Sequence, residues 1–228
     1  MEGNEQVMSG EIREEVEWCN IRWFDGADTG KRVLLIGDSI TLGYGNVVCE
    51  KLKEKQIHTA WLCTSKSIDN PSLRKEIEYA MSEYPVELIH FNNGLHGWHL
   101  NETTYADALE KMLVWIKETY PMCKLVFATT TQNVRSEYEH EQIQKRNEKA
   151  LTLAEKLEIC VDPLAKLDDT TSQFLTDGVH YQDGGYQILG SAAAECISAV
   201  SAARSDRSCN IKIGFHFDSH AVRHRYIF

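Results

Sequence analysis

Val33-Leu34-Leu35-Ile36-Gly37-Asp38-Ser39-Ile40 is the stretch on which the reading of this 228-residue chain turns. Four aliphatic residues in succession mark a strand buried on both faces. The run stops at Gly37 and delivers an Asp-Ser pair where a helix can start. A buried strand ending in a small polar turn sets a hydroxyl at the carboxyl edge of a sheet, where open α/β folds carry out their chemistry. Ser39 is then either a nucleophile or a helix cap, and Asp38 is equally suited to capping.

Downstream of this strand, apolar runs alternate with helical patterns. Leu42 to Lys55 reads as a helix, Ile57 to Cys63 as a second strand, and Pro71 to Tyr84 as a second helix with Leu73, Ile77 and Ala80 on one face. Proline suits the first turn of that helix. Val86 to Asn92, Lys124 to Thr129 and Ile159 to Asp162 complete five strands, separated by helices at Thr103 to Tyr120 and Glu139 to Leu157 and closed by one at Gly185 to Val200. Such alternation predicts a parallel, doubly wound sheet in one domain over residues 32–203. Residues 1–31 read as an N-terminal arm, with Val16 to Phe24 lying on the domain and Asp25 to Gly30 as a turn cluster, and residues 204–228 as a tail of irregular character.

Composition narrows the function classes. Hydrophobic residues make up 43% and charged residues 25%, as in ordinary globular proteins. Acidic residues outnumber basic ones 34 to 24, for a formal charge of −10. That argues against a nucleic-acid partner and against an anionic membrane surface. The acidic N-terminus lacks the apolar run of a signal peptide. Seven scattered cysteines without a CxxC pair argue against zinc ribbons, and the several within apolar segments read as buried free thiols of a cytoplasmic protein. The oligomeric state is left open.

A hydroxyl nucleophile needs a base in reach and a third group to orient that base. Thr176-Asp177-Gly178-Val179-His180-Tyr181, just before the last helix, supplies both. Asp177 and His180 are three positions apart, and Gly178 permits a tight bend, so the carboxylate can accept from one ring nitrogen while the other faces Ser39.

Gly37-Asp38-Ser39-Ile40 after a first strand and Asp177-Gly178-Val179-His180 before a final helix together resemble the GDSL/SGNH hydrolases, over roughly residues 32–200. The resemblance implies a flavodoxin-like three-layer sandwich with strand order 2-1-3-4-5. It also implies Ser39 as nucleophile, His180 as general base and acid, Asp177 as its orienting carboxylate, and no metal or organic cofactor. The activities it implies are those of esterases, lipases, thioesterases and carbohydrate deacetylases on a small-molecule ester.

The oxyanion site departs from the family pattern. The usual third block, Gly-x-Asn-Asp, is replaced by Asn92-Asn93-Gly94-Leu95-His96-Gly97-Trp98. Aligning Gly94 on the family's glycine puts His96 where asparagine is expected, and an imidazole N–H can also donate to an oxyanion. Asn93 is the alternative donor from a shifted turn. The N–H groups of Ser39 and Gly94 are further candidates. The second block, Thr64-Ser65-Lys66-Ser67, lacks its glycine and leaves Ser67 as candidate. Asp38, when not capping, and Trp98 are candidate substrate contacts, and Arg135 a contact for an acidic substrate group. His58 and His90, within strands, read as structural, and His216, His220 and His224 as part of a solvated tail rather than a metal site. Small acetyl esters, possibly of a carbohydrate, lead as substrates; the rivals are a thioesterase, a lysophospholipase and a non-catalytic binding module.

Overall fold

The computed structural model describes residues 13–24 and 32–203. The turn cluster at residues 25–30, most of the acidic lead and the tail histidines lie outside the described residues. Every residue of strand β2 (Arg32–Gly37) is buried. The reason lies in the pleat, which sends alternate side chains to opposite faces. Val33 and Leu35 enter one apolar cluster, while Leu34 and Ile36 enter another on the far side of the sheet. The first face is covered by helices α1 (Ser39–Lys53) and α6 (Asp183–Ala202), through Tyr44, Val48, Leu189 and Ile197 among others. The second is covered by α2 (Pro71–Glu83), α3 (Glu102–Thr119) and α4 (Glu137–Lys156), through Ile77, Leu109, Leu113 and Ala154. Burying each valine, leucine or isoleucine among them contributes about 1.5–3 kcal/mol.

The remaining strands are β1 (Cys19–Trp23), β3 (His58–Thr64), β4 (Leu88–Phe91), β5 (Lys124–Ala128) and β6 (Cys160–Asp162), and a short helix α5 (Asp168–Thr171) precedes α6. The sheet order is β1-β3-β2-β4-β5-β6. Leaving β1 aside, this is the expected 2-1-3-4-5 order, with every pair parallel. The order reverses on either side of β2, so the crevice at its carboxyl end is the switch point.

The N-terminal arm is the first correction. Residues 19–23 do not lie over the domain but form a sixth, antiparallel strand, pairing Cys19 with Thr64 through Trp23 with Ala60. This edge strand is largely exposed, and its polar-aromatic sequence lacks the aliphatic run that revealed the buried strands. Trp61 Nε1 donates to Asn20 Oδ1 at 2.7 Å, and Phe24 packs edge-on to the Trp61 ring. Helix α1 also begins earlier than the sequence pattern indicated, at Ser39, because Asp38 caps it.

Within the core, His90 Nε2 lies 2.9 Å from Asp162 Oδ2 and both side chains are fully buried, a structural pair bridging β4 and β6. Cys63 and Cys196 are buried free thiols, the state read from the sequence for several of the cysteines, whereas Cys160 is disulfide-bonded. Among the described residues no helix is long and apolar enough to cross a membrane.

Candidate active site

Ser39 is the first residue of α1, two positions beyond the end of β2. Asp38 stays behind as the N-cap: it is 1% exposed, and its Oδ1 accepts from the Ile40 N–H at 2.9 Å. Burial pushes its carboxyl up, opposed by the imidazoles of His96 and His180. It is absent from the cavity lining, so the substrate contact offered for Asp38 is replaced by a capping role.

The segment before α6 is folded by its own side chains. Asp177 Oδ1 accepts from the N–H groups of Val179 at 3.1 Å and His180 at 2.8 Å, while the Thr176 N–H donates to the His180 carbonyl at 2.8 Å. Gly178 occupies the left-handed region at φ 87°, and a Cβ there would press on Arg135. The turn leaves Asp177 Oδ2 at 2.9 Å from His180 Nδ1 and His180 Nε2 at 2.8 Å from Ser39 Oγ. A carboxylate only accepts, so Nδ1 carries the proton and the Nε2 lone pair is left to take the Ser39 hydroxyl hydrogen.

Arg135 is the residue whose role changes most. Instead of waiting for a substrate anion, it donates from Nη2 to Asp177 Oδ2 at 2.6 Å and from Nε to the Asp177 carbonyl at 3.1 Å. The His180 N–H and imidazole, with the Val179 N–H and Arg135, hold the Asp177 carboxyl well below the usual range.

The third block is organised by a side chain that the sequence reading passed over. Arg146 of α4, 1% exposed, donates from Nη1 to the carbonyls of Gly94 at 2.8 Å and His96 at 3.1 Å. Its Nη2 donates to those of Gly97 and Leu100, each at 2.8 Å. The guanidinium also lies 5.0 Å from the Trp98 ring centroid and 4.9 Å from that of Tyr105, within cation–π range. Burial pulls its pKa down, and the converging carbonyls and ring faces offset that cost. The sequence held a signal for it: Arg146 shares the inward face of α4 with Ile143, Ala150 and Ala154, and a charge within an apolar stripe needs a buried partner.

These bonds sort the oxyanion candidates. The Asn93 amide donates to the Lys66 carbonyl at 2.8 Å, and the Asn93 carbonyl accepts from the Tyr105 hydroxyl. Asn93 is therefore committed to the fold. Gly94 is buried with its carbonyl on Arg146 and does not line the cavity. Ser39, Ser67 and His96 do line it, as does Trp98. Ser67 Oγ donates to Asp69 Oδ1 at 2.6 Å, which leaves its backbone N–H as the group with oxyanion potential.

The cavity measures about 480 Å³. Part of its wall is unexpected: Arg13, Glu14 and Glu17, ahead of β1, line it together with Ser39 and His180. No spacing rule links residues so far apart in the chain.

No protein-family model matches the sequence, and no curated protein matches it by sequence. Solved structures do match in fold. The Axe2 acetylxylan esterase of Geobacillus stearothermophilus superposes with a TM-score of 0.61 at 15% identity, covering 74% of this chain and 94% of that one. A GDSL-like lipase of Bacteroides thetaiotaomicron gives 0.58 at 16% identity, over 76% and 92% of the two chains. The catalytic domain of peptidoglycan O-acetyltransferase A from Streptococcus pneumoniae gives 0.58 at 17% identity, over 75% and 94%. Sheet order, helix layers and these superpositions agree: the chain has the fold of the GDSL/SGNH hydrolases.

Proposed function

We propose that this chain is a serine esterase that removes a small acyl group, acetyl foremost, from a polar alcohol such as a carbohydrate. The observation that carries the reading is the continuous hydrogen-bonded line from Ser39 Oγ through His180 to Asp177, opening on a cavity of about 480 Å³. In this reading His180 Nε2 takes the Ser39 proton as Oγ bonds to the acyl carbon. Asp177 steadies the imidazolium that forms, and His180 returns the proton to the departing alcohol. Water then repeats the sequence on the acyl-enzyme. Donors around the new oxyanion are the N–H groups of Ser39, at the positive end of α1, and of Ser67, with the His96 side chain completing them.

A small polar substrate is supported by the cavity's lining, in which Asn70, Asn133 and His99 outnumber long aliphatic side chains. Two of the superposed structures are those of an acetylxylan esterase and a peptidoglycan O-acetyltransferase. The test is a rate series on acetyl, butyryl and octanoyl esters with native protein and Ser39→Ala. The expected result is a maximum at acetyl and a loss of about 10³-fold or more in Ser39→Ala. A maximum at octanoyl would move the substrate to a lipid, and preference for an acyl thioester would make the chain a thioesterase. Folded native protein whose Ser39 resists a fluorophosphonate probe would be a binding module instead.

A further inference from the structure

The segment ahead of β1 reaches the cavity because of strand direction. β1 runs antiparallel to β3 with Cys19 opposite Thr64, the last residue of β3. The residues before Cys19 therefore pass over the carboxyl edge from which Ser39 projects. Trp18 fastens them there: its N–H donates to Ser65 Oγ at 2.9 Å, and its carbonyl accepts from the Ser65 N–H at 3.1 Å. Glu17 adds a contact to Lys66 Nζ at 3.4 Å and accepts from the Asn70 amide at 2.9 Å. One turn earlier, Glu14 Oε1 lies 2.7 Å from His96 Nδ1.

That last contact decides what His96 can do. The carboxylate accepts, so Nδ1 of His96 carries a hydrogen, and Nε2 is the ring nitrogen left for the cavity. To donate to an oxyanion from Nε2 the ring must hold both hydrogens. Glu14 sits on the Nδ1 side, and the carboxyl of Asp38, the residue before Ser39, is near enough to His96 to interact with it. Among the described residues, buried Asp38 Oδ2 has no hydrogen-bond partner. The neighbouring cations are Arg13 and Arg135 on the cavity lining and Arg146, which binds the His96 carbonyl, while His180 across the cavity keeps its Nε2 lone pair for Ser39. His99 pairs with Asp69 at 2.8 Å, but its influence falls on Asp69 and not on the residue beside the nucleophile.

We propose that Glu14 is a positioning residue that holds His96 with its Nε2–H toward Ser39, so that the N-terminal segment completes the oxyanion site. This rests on the esterase reading. As the Ser39 Oγ–acyl carbon bond forms, the Ser39 proton passes to His180 Nε2 and the carbonyl π pair moves onto oxygen. His96 donates a hydrogen bond to that oxygen and keeps its proton. The two imidazoles thus serve opposite purposes, one accepting a proton and the other presenting one.

The experiment is a double-mutant cycle in the full-length chain: Glu14→Gln, His96→Asn and the pair, with Glu14→Asp as the conservative variant, assayed on an acetyl ester. Glu14→Gln is expected to lower kcat about 10-fold or more with KM within about twofold. Glu14→Asp should recover part of the loss. In the His96→Asn background, Glu14→Gln should change kcat by less than about twofold, because its partner is gone. Additive losses in the cycle, or an effect of Glu14→Gln on KM alone, would overturn the proposal. Ser39→Ala assayed alongside separates the two claims. Full activity there sinks the esterase reading itself, whereas an inactive Ser39→Ala with an additive cycle removes only the role of Glu14.

Discussion

His180 and His96 line the same cavity, and each meets a carboxylate at a similar distance, Asp177 at 2.9 Å and Glu14 at 2.7 Å, yet the two pairs are built in opposite ways. In the first, the carboxylate is the fixed member. Asp177 accepts two backbone N–H bonds within its own turn and an Arg135 contact besides. In the second, the histidine is the fixed member. The His96 carbonyl is one of four gathered by Arg146, while Glu14 comes from a distant segment and is exposed. A base must keep one tautomer through repeated proton transfer, so anchoring its carboxylate is the economical solution. A donor that never loses its proton needs a fixed ring position, and anchoring its loop supplies that.

The contrast breaks first at Asp177. Asp177→Asn keeps the size of the side chain but removes the charge that steadies the His180 imidazolium and allows an amide N–H to face Nδ1. Its kcat on an acetyl ester should fall about 10²–10⁴-fold, well beyond the loss expected of Glu14→Gln. The thermal midpoint should stay within about 2 °C, since the site is exposed and such substitutions cost little. If Glu14→Gln proves the costlier of the two, the assignment of base and donor is reversed.

Arg146 sharpens the other half. Arg146→Met fills the same buried volume but abandons four carbonyls, and leaving buried acceptors unpaired should cost about 3 kcal/mol. For a domain of this size that is a fall of roughly 6–12 °C in thermal midpoint. The kcat of the variant, measured below its midpoint, should drop about 10-fold, since the His96 loop loses its frame. A variant with an unshifted midpoint would show that the loop is held by something other than the guanidinium.

The same contrast explains which parts of this molecule were legible in its sequence. Asp177 and His180 are three residues apart in one turn, and Ser39 ends an aliphatic run that could only be a buried strand. Local spacing and periodicity describe both, whereas the order of the five parallel strands came from the family resemblance that these two motifs carry. Glu14 and His96 are joined only because β1 adds antiparallel to β3, and β1 is an exposed edge strand with no aliphatic run to betray it. No local rule reports such a pairing. Asn93 and Gly94 sat at plausible oxyanion positions, yet long-range bonds to Lys66 and Arg146 turn them inward. Arg146 is a different case, since its place among Ile143, Ala150 and Ala154 was visible and asked for the buried acceptors that the third block provides.

A third carboxylate, with no imidazole at all, gives the smallest and most direct test of what the paired ones gain. Asp168, at the start of α5, accepts from the Gln132 N–H at 3.2 Å. Burial pushes its carboxyl up to about 7, the Gln132 bond opposing and Asp169 adding to the rise. Asp177, ringed by donors, moves the opposite way. The sign for stability follows from proton binding. A folded-state pKa above the unfolded value of 3.8 means that the native state binds the proton more tightly. The stability linked to Asp168 is therefore whole below about pH 4 and is lost as pH rises through about 7. Asp168→Asn retains an oxygen for the Gln132 N–H and carries no charge at any pH. Its thermal midpoint should match the native protein at pH 4 and exceed it by about 2–4 °C at pH 8, the equivalent of about 1 kcal/mol. A gap that does not widen with pH would mean that Asp168 is neutralised by a partner and belongs with Asp177 after all.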